Sequence, residues 1–282
     1  MRYREWGATG LKVSELALGT VELGMDSGMA AAGESLRPSY EEAAAVLRRA
    51  LELGINLIDT ARAYGDAEEI IGRALAGRRR EFVLVTKAAS GRVEESIAES
   101  LRLLQTDHVD VLMLHCRADE VPERSPALEQ VLARGQARFV GASVYGAVVP
   151  AAGFDCVQVA WNPLDRRPAT LDYGGAGLMA RSVLMRGALT HRHTLLPGSL
   201  APVTRAIGKL ERIGLPLAEL AYRYVLSQRR PLTALVGTGR ISELEACCGY
   251  AAQGPLPPEV LAELEQIHLD EAWLDLSRWP VF

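Results

Sequence analysis

INLIDT, residues 55–60, is a short apolar segment that ends in polar residues, and two segments of the same kind follow it, FVLVTK (82–87) and VDVLMLH (109–115). Apolar, β-branched runs of this length are typical of parallel strands that are buried on both faces. The polar side chains at or just beyond the ends of these runs are Asp59, Tyr64, Lys87 and His115. In a closed parallel barrel the carboxyl ends of the strands form one rim, where barrel enzymes hold their catalytic groups. The sequence therefore predicts an enzyme with these four side chains at one site.

Strand-like and helix-like segments alternate along most of the chain. Five further strand-like runs bring the total to eight: SELALGT (14–20), ARFVGASV (137–144), CVQVAW (156–161), GLMARSV (177–183) and LTALVGT (232–238). Ser39 or Pro38 opens the first helical pattern, which has acids in its first turn, and Gly54 marks its end. Eight alternating units predict an α/β fold, a (β/α)8 TIM barrel, which we interpret as a single domain over residues 1–282. RYREWGATGLKV (2–13) precedes the repeat and predicts an N-terminal β-hairpin with GATG as its turn.

Two of the connections between strands are too short for a full helix. The other helical patterns cover residues 67–77, 93–105, 125–135, 199–214, 216–228, 242–252 and 257–268. No such pattern lies in YGAVVPAAGFD (145–155) or in NPLDRRPATLDYGGA (162–176), and a crossover with its helix needs about a dozen residues. We therefore expect shortened or missing fifth and sixth helices. Apolar strand faces left uncovered on that flank favour a homo-oligomer.

The composition argues against several other classes of protein. The chain of 282 residues has 49% hydrophobic residues and a net charge of −4, which favours neither nucleic acid nor an anionic membrane as a partner. No apolar run is long enough to span a bilayer, and the start lacks the apolar core of a secretory signal. Cys116, Cys156, Cys247 and Cys248 show neither CxxC spacing nor the density of a disulfide scaffold. These features predict a cytoplasmic protein without a metal site.

The motifs resemble those of the aldo-keto reductase superfamily, in the same order and over essentially the whole chain. The pieces that carry the resemblance are GTVELGMDSG (19–28), INLIDTARAYGDAEEIIG (55–72), FVLVTK (82–87), SLRLLQTDHVDVLMLH (100–115), VGASVYG (140–146), FDCVQVAWNPLDRR (154–167), ARSVLMRGALT (180–190) and LVGTGRISELE (235–245). The resemblance implies an oxidoreductase that reduces an aldehyde or ketone, possibly a sugar or a secondary metabolite, with a nicotinamide cofactor.

The resemblance also assigns roles to the four polar side chains. Tyr64 is implied as the general acid that protonates the carbonyl oxygen, and His115 as the residue that orients it. A free phenol has a pKa of about 10, which is high for this task at neutral pH. We therefore expect the charge of Lys87 to depress the pKa of Tyr64, with Asp59 holding Lys87 by an ion pair.

Position by position, the resemblance implies a cofactor site along the rim. The residues concerned are Gly19, Thr20, Val21, Asp59, Ser143, Gln158, Arg181, Ser182, Leu184, Arg186, Gly187, Gly237, Thr238 and Arg240. Ser143 and Gln158 are implied as partners of the nicotinamide carboxamide, and Arg181 as the side chain that stacks on the ring. Arg240 is implied as a contact of a 2′-phosphate, which favours NADPH, with NADH not excluded.

Four positions depart from the family pattern. Val144 stands where an Asn is usual, Val183 where a Pro is usual, Gly239 where an Arg is usual, and Cys247 where an Asn often closes the adenine site. The first of these removes one hydrogen bond to the carboxamide. None of the departures touches the four proposed catalytic residues.

Two other functions remain open at the level of sequence. One is a nucleotide-binding regulatory or partner subunit with vestigial catalysis. The other is a barrel lyase or isomerase that uses Lys87 as a Schiff base, which requires a depressed lysine pKa. The short rim loops predict an open site, unless the aromatic chain end with Trp273, Trp279 and Phe282 closes over it; the same residues would equally staple the last helix to the barrel.

Overall fold

Eight parallel strands close into a barrel in the order in which they follow one another along the chain. The computed structural model describes residues 1–31, 33–116, 120–150, 153–230 and 232–280. Two strands form the N-terminal hairpin, β1 (Tyr3–Glu5) and β2 (Lys12–Ser14). The barrel strands are β3 (Leu16–Gly19), β4 (Leu57–Asp59), β5 (Val83–Ala88), β6 (Val109–His115), β7 (Ala137–Ser143), β8 (Cys156–Ala160), β9 (Gly177–Arg181) and β10 (Leu232–Gly237). The predicted barrel and hairpin are confirmed.

The register of the strands brings the expected site residues to one end. Gly19 at the end of β3 pairs with Asp59 on one side and with Gly237 on the other. Further round the barrel His115 pairs with Ser143, and Ser143 pairs with Gln158. All of these positions lie at or near the carboxyl ends of their strands, so the rim gathers residues that are far apart in sequence.

The helices agree closely with the sequence patterns. After the single turn α1 (Val21–Gly24), they are α2 (Tyr40–Glu52), α3 (Ala67–Ala74), α4 (Val93–Leu104), α5 (Pro126–Ala133), α6 (Ala201–Glu211), α7 (Leu217–Leu226), α8 (Ile241–Ala252) and α9 (Pro258–Glu265). Ser39 caps α2 in a capping box with Glu42, which satisfies two N–H groups that the helix start leaves free. Gly54 follows α2 with a φ of +83°, the left-handed conformation that suits glycine.

The hairpin closes the amino-terminal end of the barrel. Trp6 is buried, and its Nε1 donates to the carbonyl of Leu178 on β9 at 3.1 Å. A side chain at Gly177 would lie within 3 Å of the Trp6 ring, so glycine lets the indole approach the strand. The other hairpin residues that face the barrel are apolar: Leu11 and Val13 pack among the inward-facing residues of the strands. The hairpin therefore covers the end of the barrel opposite to the carboxyl-terminal rim.

The fifth and sixth helices are reduced, as expected. Between β7 and β8, the described residues 144–150 and 153–155 contain no helix. Between β8 and β9, the only helical piece in the fully described connection is a 3-10 turn, Arg167–Thr170. Val149 is exposed on this flank. Association of two copies through it stays a prediction. Within the described part of the chain, no helix has the length and apolarity needed to cross a membrane.

Candidate active site

The buried ammonium of Lys87 is the centre of the site. Its Nζ donates to Oδ2 of Asp59 at 2.6 Å, to the carbonyl oxygen of Thr60 at 3.0 Å and to the hydroxyl of Tyr64 at 3.3 Å. Lys87 and Asp59 are each only 1% exposed. Three acceptors satisfy the three protons of the ammonium, which is the condition for burying such a charge. The structure thus brings together the acid, the lysine and the tyrosine that the sequence singled out.

His115 completes the group at the end of β6. Its ring meets that of Tyr64 edge to face, with 5.9 Å between the centroids and planes 89° apart. Burial, together with the charges of Lys87 and Arg181, lowers the pKa of His115 to about 4. The imidazole is therefore neutral at physiological pH, with one ring nitrogen free to donate and the other to accept.

The electrostatics of Tyr64 differ from the expectation. Burial raises the pKa of the Tyr64 phenol, and the charge of Lys87 opposes that rise without reversing it. The predicted depression of the Tyr64 pKa is therefore wrong for this structure. Sequence reasoning counted the neighbouring cation but not the loss of water around the phenol, which is the larger effect here.

The surroundings of Lys87 favour its charged form. Burial on its own would lower the pKa of Lys87, but the charges of Asp59 and Tyr64 and the hydrogen bonds to both together outweigh burial, and the net shift is upward. Burial raises the pKa of Asp59, against the charge of Lys87 and the hydrogen bond from Gln158. A Schiff-base lysine needs a pKa depressed below its usual value, so the direction found for Lys87 argues against that alternative.

A chain of hydrogen bonds joins the expected cofactor residues to Asp59. The hydroxyl of Ser143 donates to Oε1 of Gln158 at 2.9 Å, and Nε2 of Gln158 donates to Oδ1 of Asp59 at 2.9 Å. The N–H and the hydroxyl of Thr20 both donate to the Asp59 carbonyl, at 3.1 and 3.0 Å. Gly19 lies beside Asp59 in the barrel, and Val21 begins α1. These six positions form one connected group.

Arg181 lies at the edge of this group and is held by three contacts. It donates to the carbonyl of Val144 at 2.8 Å and to the hydroxyl of Ser182 at 3.0 Å. Its guanidinium carbon lies 4.5 Å from the centre of the Tyr145 ring. The sequence analysis did not single out Tyr145; its place two residues after Ser143, an expected site residue, was the available signal. Val144 lacks the amide side chain that is usual at this position, but its main-chain oxygen accepts the hydrogen bond from Arg181.

The loop after β9 has an unusual backbone. Ser182, Met185 and Arg186 have φ between +48° and +58°, and Gly187 has a φ of +98°. Only one other non-glycine residue in the described chain, Gln105, adopts a positive φ. Backbone strain of this kind costs free energy and is concentrated at functional sites. Leu184 lies in the same loop, where the resemblance places the pyrophosphate.

The end of β10 forms the last part of the expected site. Gly237 is packed against Glu22 of α1, and a side chain there would meet the Glu22 carboxyl at 2.6 Å. Glu22 is partly buried, and its Oε2 is shielded from solvent without a hydrogen-bond partner among the described residues. Burial raises the pKa of Glu22 to about 7, helped by the charge of Glu243. Thr238 donates to Glu243 and accepts from the N–H of Arg240 at 3.0 Å. The sequence missed Glu22, an acid between apolar residues in VELG.

Arg186 and Arg240 are linked to other loops rather than to each other. Arg186 donates to the carbonyl of Leu276 in the chain end at 3.1 Å, and its own carbonyl accepts from the N–H of Met29. Arg240 lies 3.8 Å from Glu34. Trp279 of the chain end is nearly buried and donates to the carbonyl of Trp273 at 3.0 Å. The chain end therefore reaches the rim, while Phe282 lies outside the described residues.

An eight-stranded parallel barrel with titratable side chains gathered at its carboxyl rim is the architecture of an enzyme. A sequence model described as "Aldo/keto reductase family" matches residues 15–269, and the chain belongs to that family. A holo-form structure of the aldo-keto reductase AKR11C1 from Bacillus halodurans superposes with a TM-score of 0.77 at 26% identity, covering 98% of this chain and 100% of that one.

Two curated proteins show the same likeness over most of their length. The chain is 27% identical to the uncharacterized oxidoreductase YqkF of Bacillus subtilis (strain 168), over 86% of this chain and 89% of the relative. It is 28% identical to L-galactose dehydrogenase of Arabidopsis thaliana, over 94% of this chain and 93% of the relative.

Proposed function

We propose that the protein reduces an aldehyde or ketone by hydride transfer from a nicotinamide cofactor, with Tyr64 as the proton donor. The observation that carries the proposal is the contact of the buried Lys87 ammonium with both Asp59 and the Tyr64 hydroxyl, at 2.6 and 3.3 Å. Family membership supports the general reaction. A bound nicotinamide supplies the hydride, and the side chains of this chain supply the proton and the orientation.

Tyr64 keeps its proton throughout the physiological pH range, because burial raises its pKa. When the proton moves to the carbonyl oxygen, negative charge develops on the phenol oxygen 3.3 Å from the ammonium of Lys87. A fixed cation in a site that excludes water stabilises such developing charge strongly. Asp59 and the Thr60 carbonyl hold the ammonium in place, so the cation needs no reorganisation during the reaction.

His115 acts as a neutral group in this proposal. Its pKa of about 4 leaves the imidazole uncharged, and one ring N–H can donate to the carbonyl oxygen of the substrate. A neutral donor orients the carbonyl without adding a third charge beside Lys87 and Arg181. The substrate oxygen is thus placed between the phenol of Tyr64 and the imidazole.

The residues present fit a nicotinamide dinucleotide. Ser143 and Gln158 carry the amide and hydroxyl groups that suit a carboxamide, and Arg181 offers a planar cation beside the four catalytic groups. The strained loop with Ser182, Leu184, Arg186 and Gly187 suits the pyrophosphate. Gly237, Thr238 and Arg240 precede α8, where the helix N-terminus favours a phosphate. We propose NADPH as the cofactor, because its 2′-phosphate would contact Arg240. NADH is the alternative.

The substrate class that we propose is a small carbonyl compound such as a sugar. The similarity to L-galactose dehydrogenase supports a polyhydroxylated substrate. The short connection after Lys87, which is followed by α4 at Val93, supports an open and adaptable site. A cytoplasmic location stays a prediction.

The test compares wild type with Tyr64→Phe in the consumption of NADPH and NADH with a reactive aromatic aldehyde. Loss of the general acid is expected to lower kcat by roughly a hundredfold or more. Tyr250→Phe, which removes a hydroxyl from α8, serves as the matched control and should keep full activity. Wild-type protein that binds a dinucleotide but reduces neither the aromatic aldehyde nor a panel of sugars would instead favour a regulatory subunit.

A further inference from the structure

A carboxylate lies between two arginines beside the end of β10. Glu34 accepts two hydrogen bonds from Arg192, each of 2.8 Å, and lies 3.8 Å from Nη2 of Arg240. Arg192 also donates to the carbonyl of Met29 at 3.0 Å, and Glu34 accepts from the N–H of Ala31 at 3.0 Å. The Glu34 carboxylate is therefore held in one position by the loop before α2 and by the loop after β9.

The charges around Arg240 cancel one another. Arg240 lies 3.7 Å from Glu243 as well as 3.8 Å from Glu34, and Arg192 is paired with Glu34. The Arg192 hydrogen bonds, together with the N–H of Ala31 and the charges of Arg192 and Arg240, lower the pKa of Glu34 to about 2. Glu34 is therefore ionised at every physiological pH. Two guanidinium groups and two carboxylates leave this corner without a net positive charge, which weakens its attraction for a phosphate.

We propose that Glu34 is a specificity-determining residue that lowers the affinity for a cofactor carrying a 2′-phosphate relative to one that lacks it. This inference rests on the proposed function, in which Arg240 contacts the adenosine end of the cofactor. A 2′-phosphate competes with the Glu34 carboxylate for Arg240 and is repelled by it at short range. A cofactor with a free 2′-hydroxyl meets neither effect. Glu34 thereby offsets the preference for NADPH that Arg240 alone would produce.

The test measures Kd for NADPH and for NADH by isothermal titration calorimetry in wild type and in Glu34→Gln. Glu34→Gln removes the charge that lies 3.8 Å from Arg240, the proposed phosphate contact, and is expected to tighten NADPH binding about tenfold. Binding of NADH should change by less than about twofold, which also shows that the variant is folded. Glu263→Gln removes the same charge from α9 and should change neither constant.

A second variant separates competition for Arg240 from a general change of charge. Arg240→Gln should weaken NADPH binding only about threefold in wild type, because Glu34 already pairs with the arginine. In the Glu34→Gln background the same substitution should weaken NADPH binding about tenfold or more. This difference is the coupling that a double-mutant cycle measures.

The outcomes distinguish the two proposals. A ratio of NADPH to NADH affinity that stays within about twofold of wild type in Glu34→Gln overturns the role of Glu34 and leaves the reductase proposal intact. Equal effects of Arg240→Gln in both backgrounds overturn it as well. Failure of the wild-type protein to bind either dinucleotide overturns both this inference and the proposed function.

Discussion

The two sides of the rim are built in different ways. On the side of β4, β5 and β6, the proposed catalytic groups are wholly or partly buried and contact one another directly, as Lys87 contacts Asp59 and Tyr64. On the side of β9 and β10, the expected phosphate residues lie in or next to loops, and Arg240 there is paired with Glu34 of another loop. The comparison teaches that the barrel strands position one group of side chains, whereas the positions of the other group depend on contacts between loops.

The largest effect is expected on the strand side, from Lys87→Met. It removes the cation beside the Tyr64 oxygen, so kcat should fall by roughly a hundredfold to a thousandfold. It also leaves Asp59 buried without its partner, which typically costs about 3–5 kcal/mol of unfolding free energy. Measurement of kcat and of denaturant unfolding tests both effects.

The control for this variant is the double substitution Asp59→Asn with Lys87→Met. It removes both charges and should recover most of the lost stability, because no uncompensated buried charge remains. Activity should stay low. Recovery of activity together with stability would contradict the role given to the ammonium.

A smaller effect is expected on the loop side, from Glu22→Gln. The pKa of Glu22 is raised from its usual value to about 7, so the folded state holds a proton that the unfolded state releases. Stability is therefore lost as pH rises from about 4.5 to about 7, and the loss is complete above pH 7. The full loss of stability is on the order of 3 kcal/mol.

Glutamine cannot ionise, so the Glu22→Gln variant should not lose stability in this way as the pH rises. The difference in unfolding free energy between variant and wild type should grow by about 2–3 kcal/mol between pH 5 and pH 8. The comparison across pH separates ionisation from any change in packing, because a packing effect would be the same at both pH values. Parallel stability curves for the two proteins would contradict the buried, proton-binding state of Glu22.

The smallest expected effect is the change of kcat with pH that titration of His115 would cause, and it should be close to zero. Because its pKa is lowered to about 4, the imidazole stays neutral from pH 5.5 to pH 8. The kcat for aldehyde reduction should therefore vary by less than about threefold over this range. A break near pH 6.5 that disappears in His115→Gln would show that the histidine titrates during catalysis.

The strand side was predictable from sequence because strand order and register follow from local patterns. The runs ending near Asp59, Lys87 and His115 are apolar and regularly spaced, and in a barrel such ends must meet. The same reasoning predicted the reduced fifth and sixth helices from connection length alone. Every helical pattern described above also corresponds to a helix of the structure.

The loop side was less predictable because its contacts depend on how irregular segments fold. Glu34 precedes α2 in a segment without periodicity, and nothing in the sequence pairs it with Arg192, more than 150 residues away. The direction of the Tyr64 pKa was also missed, since burial of a side chain depends on all of its neighbours. Sequence motifs indicate which charges lie near a titratable side chain, but they do not indicate how far that side chain is shielded from water.

The closure of the barrel by its first and last strands has a consequence for biosynthesis. β3 ends at Gly19 and pairs with β10, which ends at Gly237, and Arg4 of the hairpin donates to the carbonyl of Leu232. At about 5–20 residues per second, the ribosome takes roughly 10–45 s to make the residues between these strands. Throughout that interval one edge of β3 has no strand beside it. The nascent chain therefore exposes an open sheet edge for most of its synthesis, and the fold is completed only when nearly all of the protein has been made.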